Sequence, residues 1–95
     1  MLSNPDIQKA LRIKRAVNEY FEKSSERMVQ AKELMPLFID KGIFTSNAQD
    51  GLPIREFLRH LDDNNQLGLI PQVFYMPKEK NKNWFFLNPA KRDGI

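Results

Sequence analysis

Residues 69–76 (LIPQVFYM) and 83–87 (NWFFL) form two apolar, aromatic-rich runs on either side of the polar segment 77–82 (PKEKNK). Runs of this length and composition, broken by a charged turn, read as the two strands of a β-hairpin. Three stretches with helical periodicity precede them. With 95 residues there is room for one hydrophobic core and not for two, so the helices and the hairpin have to share it. The fold class predicted is α+β, a three-helix core closed by a C-terminal antiparallel β-hairpin.

The first helix is predicted over residues 5–23. Ser3, Asn4, Pro5 and Asp6 supply a capping side chain, a proline in the first turn and an acid facing the helix dipole. Ile7, Ala10, Leu11, Ile13, Val17, Tyr20 and Phe21 then recur at spacings of three and four, which lays one apolar stripe along one face. Ser24, Ser25 and Glu26 end the pattern, and residues 27–29 are short and extended enough for a brief strand.

A second helix is expected over residues 31–41, with Leu34, Leu37, Phe38 and Ile39 inward and Gly42 as its stop. Pro36 disturbs it, because a proline beyond the first turn removes a hydrogen bond and crowds the preceding carbonyl; a kink or a late start is expected. Residues 43–51 (IFTSNAQDG) form a connection whose Ile43 and Phe44 tuck into the core. The third helix starts at Leu52 or Pro53 and runs to about Asp63, with Ile54, Phe57, Leu58 and Leu61 inward. In the hairpin, alternation assigns Phe74, Phe85 and one of Trp84 and Phe86 to the core. Tyr75 and whichever large ring faces outward are left as a candidate surface for a second copy of the chain.

In this order, residues 28–87 resemble a winged helix-turn-helix domain. Residues 28–34 (MVQAKEL) resemble the approach to that superfamily's second helix, 52–61 (LPIREFLRHL) stand where its recognition helix would be, and 77–83 (PKEKNKN) stand at the wing tip. The resemblance implies one winged-helix domain over residues 1–88, with a polar tail at 89–95. It also implies a DNA-binding function, such as transcription regulation, with the third helix in the major groove of double-stranded DNA and the wing on the backbone. The chain departs from the pattern in two places. Its connection before the third helix exceeds the three- or four-residue turn of a compact helix-turn-helix, and residues 50–66 set Arg55 and Arg59 against Asp50, Glu56, Asp62 and Asp63.

Net charge is +3, distributed as +2 over residues 1–30, −2 over 31–68 and +3 over 69–95, so positive charge gathers at the two ends. Arg55 and Arg59, four residues apart on one helix face, are the candidates for bidentate contacts to guanine edges. The other reading is an ordinary solvated face in which Arg59 pairs with Glu56 or Asp63 and Arg55 with a neighbouring acid. Lys78, Lys80 and Lys82 alternate with Glu79, Asn81 and Asn83; the lysines and Asn81 are the candidates for the phosphate backbone. Lysines there also blunt an exposed strand edge. Lys9, Arg12, Lys14, Arg15, Arg27 and Lys32 are read as a diffuse basic surface.

Enzymatic function is not expected. His60 is the one histidine, cysteine is absent, and neither a nucleophile elbow nor a phosphate loop nor a metal-ligand spacing occurs. Asp62 and Asp63 are adjacent on a helix, diverge by about 100° and are read as solvated charges. No cofactor is implied, no apolar run approaches the roughly 18 residues of a membrane span, and a cytoplasmic setting is expected. Two function classes remain open: a binder of double-stranded DNA, and a non-enzymatic winged-helix module that docks a protein partner.

Overall fold

The structure is a computed structural model that describes residues 2–46, 49–77 and 82–90. It contains three α-helices and a three-stranded antiparallel sheet, arranged helix, strand, helix, helix, strand, strand. The first helix, α1 (Asn4–Glu22), begins as its sequence dictates. The Ser3 hydroxyl accepts a hydrogen bond from the Asp6 amide at 3.2 Å, and Pro5 lies in the first turn. Ala10, Ile13, Ala16, Val17 and Phe21 form its buried stripe.

Strand β1 (Met28–Gln30) leads into a 3-10 helix at Ala31–Leu34 and then α2 (Met35–Asp40). The helix expected from residue 31 therefore begins late as an α-helix, which places Pro36 in its first turn, where the missing N–H would have no partner anyway. At the C-terminal end Gly42 takes φ +73°, its amide donates to the Ile39 carbonyl, and the Ile43 amide donates to Phe38 at 2.8 Å. This pair of bonds is a Schellman stop, and it turns Ile43 into the core. Helix α3 (Leu52–Asp63) ends the same way with Asn65 at φ +58°, whose amide donates to Asp62 while that of Gln66 donates to Leu61.

The first strand of the hairpin begins later than its apolar run. Leu67–Leu69 is a 3-10 helix, Ile70 is fully buried, and strand β2 covers only Val73–Pro77. Pro71 has no N–H to give a ladder, and the amides of Leu69, Ile70 and Val73 close local turns instead. Strand β3 (Lys82–Leu87) pairs with β2 on one side and with β1 on the other, giving the order β1-β3-β2.

One core lies between the helices and one face of this sheet. Phe86 sits opposite Val29 of β1 and Val73 of β2, and its ring meets that of Phe38 edge to face at 6.1 Å. Trp84, two residues earlier, shares that face. Phe74, expected inside, lies instead on the opposite face, stacked on Phe85 with centroids 5.3 Å apart. The cause is the two-residue period: three consecutive rings cannot all point inward, and with Trp84 and Phe86 inside, Phe85 and its partner Phe74 face out. Phe85 is nonetheless only 8% exposed, with the Phe74 ring stacked on it. No helix among the described residues is long and apolar enough to cross a membrane.

This register predicts unequal consequences for two phenylalanines of the same sheet. Phe86→Ala should destabilise by about 3–5 kcal/mol and Phe74→Ala by about 1 kcal/mol. Urea denaturation measures both; equal losses would mean that Phe74 is a core residue after all.

Candidate nucleic-acid interface

Helix α3 exposes Glu56, Arg59, His60 and Asp63, and holds Arg55 and Asp62 half-buried. Arg55 does not project as a free fork. Its Nη2 donates to the Gln49 carbonyl at 2.9 Å and its Nε to the Gly51 carbonyl at 3.4 Å, so it ties down the connection that precedes its own helix. Arg59 is exposed and makes no hydrogen bond or ion pair among the described residues. The acid pairings considered for the two arginines are therefore not those in the structure. His60 Nε2 lies 3.1 Å from Asp6 Oδ2 and so links α3 to the start of α1. The hydrogen bond from His60, and then the one from Ser3, hold the Asp6 carboxyl below its ordinary pKa.

Lys82 stands at the base of the hairpin. Its Nζ meets Asp62 Oδ2 at 2.6 Å, in the last turn of α3, and lies 4.3 Å from the centre of the Tyr75 ring and 5.7 Å from that of Trp84. Asp62 is thus an ion-pair partner rather than a freely solvated charge. The hydrogen bond to Asp62 is the main cause that raises the Lys82 pKa above the usual lysine value, and desolvation opposes it. Lys78, Lys80 and Asn81 lie outside the described residues.

What the structure adds is Lys32. Its ammonium meets Asp50 Oδ2 at 3.1 Å, and it lines a cleft of about 290 Å³ together with Arg55 and Lys82. Gln30, Asp50, Asn83 and Trp84 complete the lining. Three basic residues from three elements, the 3-10 helix, α3 and the hairpin, therefore line one cleft between α3 and the base of the hairpin. The approach that makes this possible is at Gly51, φ +91°, where an added Cβ would stand 2.4 Å from Lys32 Cβ. Gln49 and Asp50, at φ +49° and +52°, complete a left-handed run that swings the chain into α3.

The remaining basic residues of the first half are partly engaged. Lys9 lies over the rings of Phe44 and Phe57 at 4.9 and 5.7 Å, and Arg12 donates to the Lys41 carbonyl at 2.7 Å. Lys41 itself pairs with Glu19 at 2.7 Å. Among the described residues, no three acids or histidines gather as a metal site. Compared with family models, with curated proteins and with solved structures, the chain matches none.

Two outcomes follow from this geometry. Gly51→Ala combines a strained left-handed residue with a clash against Lys32, and should cost about 2–4 kcal/mol in urea denaturation; a change under about 0.5 kcal/mol would show that the loop relaxes freely. Because the pKa of Lys82 is raised on folding, its contribution to stability is fully present below the unfolded lysine value of about 10.4 and is lost as pH rises through the folded value. The stability difference between wild type and Asp62→Asn should accordingly hold steady from pH ~7 to ~9 and shrink above ~10.4. A difference that does not change across that alkaline range would mean the ion pair is not formed in solution.

Proposed function

We propose that the chain is a winged-helix domain that binds double-stranded DNA in a regulatory or accessory role, with α3 presented to the major groove and the hairpin laid along the backbone. The observation that carries this reading is the convergence of Lys32, Arg55 and Lys82 on one cleft between α3 and the hairpin. The element order and the strand order β1-β3-β2 are compatible with a winged-helix topology, in which these two elements would meet a duplex together. Arg59, exposed on α3 without a partner among the described residues, is the side chain best placed to reach a base edge. Lys78, Lys80 and Asn81 would extend the phosphate contacts from the wing tip.

A second reading, a protein-interaction module, is favoured by the outer face of the sheet. Met28 and Met76 are 37% and 45% exposed there, next to the half-buried Phe74 and Leu87, and none of these side chains is charged. The acids Glu56 and Asp63 on the exposed side of α3 also suit a protein partner better than a phosphate backbone.

Salt dependence separates the two. Binding to a random-sequence duplex should weaken linearly in log–log form with a slope of about −3 to −5, since each neutralised phosphate contributes about −0.9. Absence of duplex binding at low salt overturns the DNA reading.

A further inference from the structure

We propose that the cleft between α3 and the hairpin is a seat for a single phosphate group, and that Asp50 and Asp62 hold its lysines until the phosphate replaces them. The inference deepens the DNA reading at the same site and rests on it for the source of the phosphate. Donors outnumber acceptors in the lining. Arg55 has five N–H groups and gives two to the carbonyls of Gln49 and Gly51, which leaves three, while each lysine keeps two beyond its carboxylate bond. The amides of Gln30 and Asn83 can add further donors.

The two carbonyl bonds also fix the Arg55 guanidinium in place, so little side-chain freedom remains to be lost when an oxyanion arrives. Lys32 is held by the exposed carboxylate of Asp50, a pair weak enough to exchange, and Lys82 by the less exposed carboxylate of Asp62. A phosphate spreads its acceptor oxygens tetrahedrally, whereas a carboxylate presents its two in one plane, so donors from three elements can reach a phosphate from three sides. A base is a poor occupant, because Trp84 is only 4% exposed, with Tyr75 and Lys82 lying against it, and has no free ring face to stack on.

The test uses the intact chain, three variants and three probes. Inorganic phosphate, followed by NMR at constant ionic strength, should shift the Trp84 indole N–H and the Arg55 Nε–H more than chloride does. Lys32→Gln, which keeps the Cβ that packs on Gly51, should weaken binding to a random duplex and reduce the salt slope by about 1. Arg55→Lys should also weaken it, having no planar fork to offer. Asp50→Asn should strengthen it by up to about fivefold, the most that an exposed ion pair withholds. Circular dichroism melts identify any variant that has lost its fold, and Asp50→Asn, a gain of binding, cannot be mimicked by misfolding.

Duplex binding that Lys32→Gln and Asp50→Asn leave unchanged overturns the phosphate seat while the DNA reading survives through Arg59 and the wing tip. Phosphate shifts at the cleft without duplex binding overturn the DNA reading and keep the seat, for a small phosphorylated ligand. An oligoglutamate that shifts the same resonances at lower concentration than phosphate overturns the seat in favour of an acidic protein segment. If no probe moves these resonances the seat fails, and the DNA reading fails with it only where the duplex is not bound either.

Discussion

Strand β3 is the element on which the rest of the structure depends, because it is the central strand and lends its inner face to both the core and the cleft. Phe86 has Val29 on one side and Val73 on the other, with Phe38 over it, so one fully buried ring joins a segment before α2 to the hairpin at the end of the chain. Once Phe86 faces inward, the two-residue period forces Trp84 and Lys82 to the same side. Lys82 is thereby directed at the last turn of α3, where Asp62 takes its ammonium. The polar end of the cleft is therefore a geometric consequence of how the apolar end of the strand is packed.

A second constraint acts at the other end of α3. The connection after α2 has to reverse the chain, and it does so through three consecutive residues at positive φ, of which only Gly51 lacks a Cβ. That omission lets the backbone press against Lys32, and it sets the carbonyls of Gln49 and Gly51 where the Arg55 guanidinium caps them. The longer connection does not loosen the placement of α3. It exchanges a compact turn for a strained one that is held by a side chain of the helix it introduces.

How much of this was legible in the sequence depended on whether the governing interaction is local. The start of α1 followed from Ser3 and Pro5, that of α3 was placed at Leu52 or Pro53, and the late start of α2 was one of the two outcomes expected of Pro36, because caps and prolines act within one turn. The short strand before α2 was visible, but not that β3 would pair with it. The onset of β2 was misplaced because the apolar run 69–76 has no internal marker except Pro71 to separate a buried turn from a strand. Phe74 was put on the wrong face because the parity of three adjacent rings is decided by register and not by composition. Lys32 was left on a diffuse surface, since nothing near it in the chain announces the approach of Gly51 some twenty residues later. The paired arginines of α3 looked equivalent at i, i+4 and are not, because carbonyls that only the folded loop supplies engage one of them.

The charge arrangement bears on how such a domain would discriminate among duplexes. Phosphate contacts fix position and carry no sequence information, whereas base edges are read by side chains free to enter the groove. In the proposed mode Arg55, Lys32 and Lys82 are all committed to the cleft, and the exposed side of α3 offers Arg59 between Glu56 and Asp63. In that mode those acids would repel the backbone on either side of Arg59, so a misaligned α3 would gain nothing to offset the repulsion. A registered helix would instead place Arg59 against a guanine edge and hold its neighbours away from phosphate, with the cleft setting the register. Affinity would then come from the junction of α3 and the hairpin, and selectivity from a single side chain whose acidic neighbours penalise every other alignment.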